Sequence, residues 1–339
     1  MVNFKENAVE ELLQKNLISQ SQNQEIKNYS ALNIFSLHNE LRFLIYLSVI
    51  LFTGGIGILI YKNIDTIGHT IILALILILT GVCFYLSYKK SKGFSNNEVL
   101  FDNPMYDYLV LLGTILSCTF VGYLQFQYQT FGNFFGIASL VGSIIAFIVA
   151  YYFDNKSALS IAITGLAAYI GITITPKTLV ENEVYSNPTL AYSGFALGIG
   201  LVLWTIYSTK TNFKKHFNLV FLTFALHLSS ICIIAGLLTK FGYQEVSYWY
   251  IFVPILVGSV YYFNKVSYQI SAVSIFLFNV IYAYIGFNII LGILFSYVDN
   301  WGDAWVAFLF LFPVYLIVSI VLFIKGIKKF NKTNNDSIQ

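Results

Sequence analysis

Residues 43–61 read FLIYLSVILFTGGIGILIY, and residues 70–88 read TIILALILILTGVCFYLSY. Neither stretch contains Asp, Glu, Lys or Arg, and each is close to the roughly 20 residues that a helix needs to cross the hydrocarbon core of a bilayer. Only a short polar turn separates the two. They therefore predict a hairpin of two membrane-spanning helices.

The rest of the chain continues this pattern. Of its 339 residues, 57% are hydrophobic and 10% are charged, whereas a soluble domain carries roughly 25% charged residues. We therefore predict an all-α, polytopic bundle of about ten spans. Little chain is left for a soluble catalytic domain, and nothing resembles a basic domain that binds nucleic acid. The predicted spans are Phe43–Tyr61, Thr70–Tyr88, Tyr108–Phe126, Phe134–Phe153, Ser157–Thr175, Leu190–Tyr207, Phe217–Leu238, Tyr248–Phe263, Val273–Phe295 and Ala304–Ile324.

The basic residues are divided unevenly between the two sides of these spans. Sixteen of the 19 Lys and Arg residues fall on the side that carries both termini. Because short loops rich in Lys and Arg stay in the cytoplasm during insertion, both termini are predicted to be cytoplasmic. The sixteen are Lys5, Lys15, Lys27, Arg42, Lys89, Lys90, Lys92, Lys156, Lys210, Lys214, Lys215, Lys265, Lys325, Lys328, Lys329 and Lys332, and the opposite side holds Lys62, Lys177 and Lys240.

Residues 1–40 are predicted to form a cytosolic amphipathic helical head. Its first helix carries an apolar stripe, a candidate surface for a protein partner, and Ser21 with Gln24 suggests the capping box of a second helix. The stripe consists of Val9, Leu12, Leu13 and Leu17. The other predicted segments are a transmembrane hairpin (41–92), a cytosolic loop (93–107), two four-helix units (108–216 and 217–324) and a basic cytosolic tail (325–339).

Two short motifs recur and indicate an internal duplication. Leu140–Phe153 reads LVGSIIAFIVAYYF and Leu256–Phe263 reads LVGSVYYF, while AYIG occurs at both Ala168–Gly171 and Ala283–Gly286. The two four-helix units would then be copies in parallel orientation, as in the halves of some transporters.

A small set of polar residues inside the spans is the candidate functional site. His227 lies near the middle of its span, with Thr223 and Ser230 on the same helical face. Intramembrane ionisable groups often belong to proton relays or substrate sites. The alternative is a neutral imidazole that hydrogen-bonds a neighbouring helix. Asn279 and Asn288, on a later span, would either line a polar cavity or link helices through hydrogen bonds.

For several other residues, a structural role is a simpler explanation than a functional one. The outer loops carry acidic residues that could hold a cation or act in acid–base chemistry, but translocated loops are also acidic because Lys is excluded from them. Prolines inside two spans predict kinks, and several glycines predict close helix packing. No catalytic, metal or cofactor motif is present, and the cysteines resemble small buried hydrophobes. The outer-loop residues are Glu181, Glu183, Asp299, Trp301 and Asp303, and the prolines are Pro254 and Pro313. The glycines are Gly54, Gly55, Gly57, Gly132, Gly136, Gly194 and Gly198, and the cysteines are Cys83, Cys118 and Cys232.

The start of the chain resembles a known family. The stretch VEELLQKNLIS, then QEIKNY, then the glycine-rich first span and its Asn-containing turn follow the order found in a bacterial family of predicted membrane proteins, domain of unknown function 2157. The matching elements are Leu12–Ser19, Gln22–Tyr29, Gly54–Gly57 and Asn63–Asp65. The resemblance covers roughly residues 8–88. It implies a multi-pass protein of the bacterial inner membrane and brings no assigned activity.

Three functions remain open at this point. The first is a non-catalytic scaffold, sensor or complex subunit in the lipid bilayer, with its head meeting a partner. The second is a transporter or flippase of an apolar or amphipathic substrate, which needs a polar cavity near His227 and Asn279. The third is an intramembrane enzyme, which needs His227 or the outer carboxylates to converge.

Overall fold

The computed structural model describes residues 19–31, 38–62, 68–174, 188–241, 249–297 and 304–336. Within these ranges the chain forms eleven α-helices and no strand, so the predicted all-α class is confirmed. The helices are α1 (Gln20–Ala31), α2 (His38–Lys62), α3 (His69–Lys90), α4 (Met105–Tyr128), α5 (Phe135–Phe153), α6 (Lys156–Ile174), α7 (Pro188–Thr211), α8 (Asn218–Leu238), α9 (Trp249–Gln269), α10 (Val273–Phe295) and α11 (Ala304–Asp336).

The ten predicted spans coincide with α2–α11. Among the described residues, nine of these helices are long and apolar enough to cross a membrane. The exception is α9, because Asn264, Lys265 and Gln269 occupy its second half and Pro254 lies inside it. The helices α9 and α11 both continue past their prolines.

The chain divides into two compact units. Residues 1–59 form the first unit, and residues 60–339 form the second. In the first unit, α1 begins with a capping box, but the residues are Ser19 and Gln22 and not the predicted Ser21 and Gln24. The Gln22 amide donates to Ser19 Oγ at 3.2 Å, and the Ser19 amide donates to Gln22 Oε1 at 2.9 Å. Ser21 lies inside α1, which begins at Gln20, so it cannot be the residue that caps the start of this helix.

In the second unit, helices that are neighbours in sequence pack against each other. The series α3–α4–α5–α6 and the series α7–α8–α9–α10 each form such a run. The largest apolar core surrounds α8, where Phe221, Ala225 and Leu226 are buried. This core joins residues from α4 through α10, so the two series share it.

The repeated motifs occupy similar places in the two series. LVGS begins in α5 and in α9, and AYIG lies in α6 and in α10. Bonds from side chain to backbone join each pair of helices. Ser143 Oγ and Ser139 Oγ on α5 donate to the Ala162 and Gly165 carbonyls on α6, and Asn279 Nδ2 on α10 donates to the Val260 carbonyl on α9. The Ser143 and Asn279 bonds span the same separation, 19 residues, although they run in opposite directions along the chain. The duplication remains a prediction, and this correspondence is consistent with it.

Glycines provide close helix contacts at some of the predicted places. A Cβ atom on Gly136 would meet Tyr169 and Thr173, and one on Gly198 would meet Ser229. Gly194 likewise lies against Cys232. The prediction was wrong for Gly132, which lies in a turn with φ of 60°. Within the first unit, no described atom of that unit comes within 4 Å of a Cβ built on Gly54, Gly55 or Gly57, and the close packing of these three glycines stays a prediction.

The final helix extends well beyond its predicted span. Residues 325–336, predicted to be part of a basic tail, continue α11 as helix. Phe330 is fully buried in this extension, with its ring stacked on Phe276 of α10 at 4.5 Å and tilted on Tyr268 of α9 at 4.7 Å. The lysines of this segment alternate with apolar residues, which allows one face to pack while the charges face water.

Candidate functional site

His227 lies on α8 and is bonded to α10. Its Nδ1 is 2.9 Å from the hydroxyl of Tyr282, and its ring meets Phe278 edge-on at 4.6 Å between centroids. Both partners belong to α10, one helical turn apart. The imidazole therefore connects two helices through a hydrogen bond and an aromatic contact.

The two asparagines connect α10 to other helices. Asn279 is buried and donates from Nδ2 to the carbonyl of Val260 on α9 at 3.0 Å. Asn288 accepts at Oδ1 from the hydroxyl of Tyr315 on α11 at 3.0 Å, and its Nδ2 donates to the Tyr284 carbonyl within α10. The side chains of α10 thus bond to α8, α9 and α11.

The other two predicted residues play smaller parts. Thr223 Oγ1 donates to the Leu219 carbonyl of its own helix at 2.8 Å. Ser230, also on α8, is a buried residue of that helix. The bonds of His227 and Asn279 meet the same part of α10, since Tyr282, the partner of His227, lies about one turn from Asn279.

An ion cluster that sequence reasoning missed joins three turns at one end of the helices. The cluster consists of Asp154 in the α5–α6 turn and of Lys214 and His216 in the α7–α8 turn. Asp154 Oδ1 accepts from Lys214 Nζ at 2.6 Å and lies 2.8 Å from His216 Nε2. Asp154 Oδ2 accepts from the amide of Val99, in the loop between α3 and α4, at 3.1 Å.

The backbone conformation of the turns sets the positions of the Asp154 and Lys214 side chains. Asp154 and Lys214 both have positive φ, 57° and 50°. Asp154 caps the end of α5, and Lys214 directly precedes the short 3-10 helix Lys215–Phe217 that leads into α8. The side chains of the pair are only 2% and 1% exposed. The Lys214 amide also donates to the Asn96 carbonyl at 3.2 Å, and its ammonium lies 4.7 Å above the centre of the Phe94 ring. The three turns are therefore held together by several bonds from one buried lysine.

A more exposed ion pair borders the cluster. Glu98 Oε1 accepts from Lys156 Nζ at 2.7 Å. This hydrogen bond from Lys156 holds the pKa of the Glu98 carboxyl below its usual value, against a smaller opposing effect of burial. A second exposed pair, Lys92 with Asp102, lies within the α3–α4 loop at 2.6 Å.

The sequence offered one signal for this cluster. Asp154 is an acidic residue on the side where Lys predominates, so pairing with a loop lysine was available to it. Lys214 follows it by 60 residues, and nothing local selects this lysine from its neighbours. The partner is decided only when the α5–α6 turn and the α7–α8 turn meet.

A lateral groove lies between α5, α6, α7 and α8. Its volume is about 580 Å³, and its lining is almost wholly apolar. Trp204 Nε1 donates to the Tyr151 hydroxyl at 2.9 Å within this lining. Neither His227 nor Asn279 belongs to it. The lining residues are Phe147, Ile148, Tyr151, Leu166, Leu197, Gly200, Leu201, Trp204, Phe213 and Phe221.

The outer carboxylates Glu181, Glu183, Asp299 and Asp303, together with Trp301, fall outside the described residues, as does the apolar stripe of the head. In the part of the chain that is described, no group of three or more His, Cys, Asp or Glu side chains converges as metal ligands would.

Comparison with known proteins agrees with the resemblance seen in the first residues. Residues 10–159 match the family model described as predicted membrane protein, DUF2157. The resemblance is thereby confirmed, and the match extends through α5 into the start of α6. No match was found among curated proteins or among solved structures.

Proposed function

We propose that this membrane protein, whose residues 10–159 match DUF2157, is a non-catalytic component of the bacterial inner membrane that acts as a scaffold or complex subunit. One observation supports it above the others. The intramembrane polar residues that a pathway would need are bonded between helices: His227 to Tyr282, Asn279 to Val260 and Asn288 to Tyr315. Such bonds strengthen helix packing and leave fewer polar groups for a substrate.

The proposal includes an orientation with both termini in the cytoplasm. The ion cluster, the α3–α4 loop and the α7–α8 turn then lie on the cytoplasmic side, where the lysines predominate.

Cysteine accessibility tests this orientation with a matched pair. Gln129, after α4, and Asn212, after α7, are both exposed turn residues with positive φ. In intact cells, a membrane-impermeant maleimide is expected to label Gln129→Cys and to spare Asn212→Cys. The reverse labelling pattern contradicts the proposed orientation.

The partner in this proposal meets the apolar stripe of the head. The test is native mass spectrometry of the full-length protein extracted gently from its own membrane. We expect a second polypeptide in fixed ratio, and we expect Leu13→Asp to release it. Gln14→Asp is the control, because it adds the same charge about 100° around the predicted helix, outside the stripe.

Complementation separates this function from its alternatives. In a deletion strain, His227→Ala and Asn279→Ala are expected to restore the phenotype if they reach the membrane in normal amounts. Loss of function by both variants at normal abundance overturns the scaffold and favours transport or catalysis. A complex that survives Leu13→Asp removes the head as its contact.

A further inference from the structure

The lateral groove between α5, α6, α7 and α8 has the form of a binding site for a thin apolar chain. Leu201 and Phe221 are buried at its floor, while Ile148 at its edge is 64% exposed. A volume of about 580 Å³ lies within the roughly 300–1,000 Å³ of small-molecule sites. No described atom lies within 4 Å of a Cβ built on Gly200, so this glycine leaves the groove open.

The groove runs along one half of α7. From Leu197, near the middle of that helix, to Trp204 is seven residues, or about 10 Å at 1.5 Å per residue. Phe213, in the turn after α7, extends the lining beyond the helix. This length fits within one leaflet, which is about half of a hydrocarbon core of ~30 Å. A partner helix, about 10–12 Å across, would fill more than this volume over the same length.

The end of the groove near the α7–α8 turn has the chemistry of a membrane interface. Trp204 and Tyr151, joined by their hydrogen bond, are the residue types that lie at headgroup level. Lys210 and Lys215 flank Phe213 in sequence and are both exposed. Among the described residues neither lysine forms an ion pair, in contrast to Lys156 and Lys214. Basic residues beside a membrane surface attract anionic lipid headgroups.

We propose that this groove binds one acyl chain of an anionic phospholipid from the leaflet on the side of the α7–α8 turn. The chain lies along Leu197, Gly200 and Leu201, and the headgroup lies near Lys210 and Lys215. The site goes beyond the proposed scaffold role and does not depend on the apolar stripe of the head.

The experiment uses the full-length protein in nanodiscs of phosphatidylglycerol and phosphatidylethanolamine, followed by detergent exchange and native mass spectrometry. One retained phosphatidylglycerol per protein is expected for the wild type. Gly200→Phe places a ring in the groove and is expected to abolish retention. Gly122→Phe on α4 is the control, because its Cβ also meets open space, away from the groove.

A second variant leaves the lining of the groove unchanged. Lys210→Gln with Lys215→Gln is expected to lower the preference for phosphatidylglycerol over phosphatidylethanolamine by about fivefold for each lysine removed. Equal retention by the wild type and Gly200→Phe overturns the proposal, as does the absence of retained lipid in the wild type. A photo-crosslinking residue at position 148 that captures a polypeptide in place of lipid also overturns it. Because the readout is lipid mass, failure here is distinct from failure of the polypeptide complex.

Discussion

Lys214 Nζ lies 2.6 Å from Asp154 Oδ1, and both side chains are almost completely buried, although 60 residues separate them in the chain. Asp154 has no unused oxygen: one accepts from Lys214 and faces His216, and the other accepts from the Val99 amide. The pair is therefore a structural junction between three turns, and its charges compensate each other away from water.

Breaking this pair on one side is expected to be costly. Lys214→Met leaves the Asp154 carboxylate buried without its cation, which should destabilise the protein by about 3–5 kcal/mol. Replacing both residues, with Asp154→Asn and Lys214→Met, should recover much of the loss, because Asn tolerates the positive φ and can still accept from the Val99 amide. Unfolding in mixed micelles measures both effects.

The matched control is Lys92→Met, because Lys92 and Asp102 form a pair of the same 2.6 Å length on the surface. An exposed pair contributes about 0–1 kcal/mol, so this variant should unfold nearly as the wild type does. Similar losses for Lys92→Met and Lys214→Met would refute a special role for burial.

The Glu98–Lys156 pair predicts a dependence on pH. Because the Lys156 bond lowers the pKa of Glu98 in the folded protein, the pair stabilises the fold above the usual carboxyl pKa of about 4.3. This contribution is lost as the pH falls through the folded pKa. Glu98→Gln should lower the melting temperature slightly at pH 7, and this difference should shrink as the pH falls below the usual carboxyl pKa. A difference that grows toward acid pH would contradict the sign.

Removing the Tyr282 hydroxyl tests the bond to His227. Tyr282→Phe keeps the ring and its packing, so the expected loss is about 0.6 kcal/mol and at most about 1.7 kcal/mol, the range of interhelical hydrogen bonds in membranes. Tyr261→Phe, at a residue that is 71% exposed, is the control. The measurement is again unfolding in mixed micelles. A much larger loss for Tyr282→Phe would show that the histidine site carries more than a link between two helices.

Phe330 predicts that the end of α11 contributes to stability. Phe330→Ala removes a fully buried ring from Tyr268 and Phe276, and burial of this kind is worth about 3–5 kcal/mol. Ile324→Ala, at an exposed residue of the same helix, should change little. Hydrogen exchange over residues 325–336 should rise in the first variant alone. Unchanged protection in Phe330→Ala would mean that helix propensity, and not this contact, orders the segment.

Helix positions were predictable because the information is local. In lipid, a run of about 20 apolar residues can form all of its backbone hydrogen bonds within the segment only as a helix. Charged or polar residues mark where the run ends. The span Val273–Phe295 was predicted to the residue. Errors occurred where apolar content falls but helical spacing continues, as in the extension of α11 around Phe330.

The roles of individual polar residues were less accessible. His227 and Asn279 stood out because polar groups are rare inside spans, yet their bonds depend on Tyr282 and on the Val260 carbonyl of other helices. A tyrosine among 25, or one backbone carbonyl, has no local mark that selects it as a partner.

The sequence by itself determined that the chain lies in a bilayer, that it is helical, and roughly where each helix begins and ends. These properties follow from the hydrophobicity and the length of each segment taken separately. Tertiary structure alone decided that Lys214 joins Asp154, that α10 bonds to three neighbours, and that Gly200 opens a groove beside Trp204. These features arise from which helix faces meet. Contacts between distant residues set that choice, and many apolar faces of similar composition would satisfy a bilayer equally well.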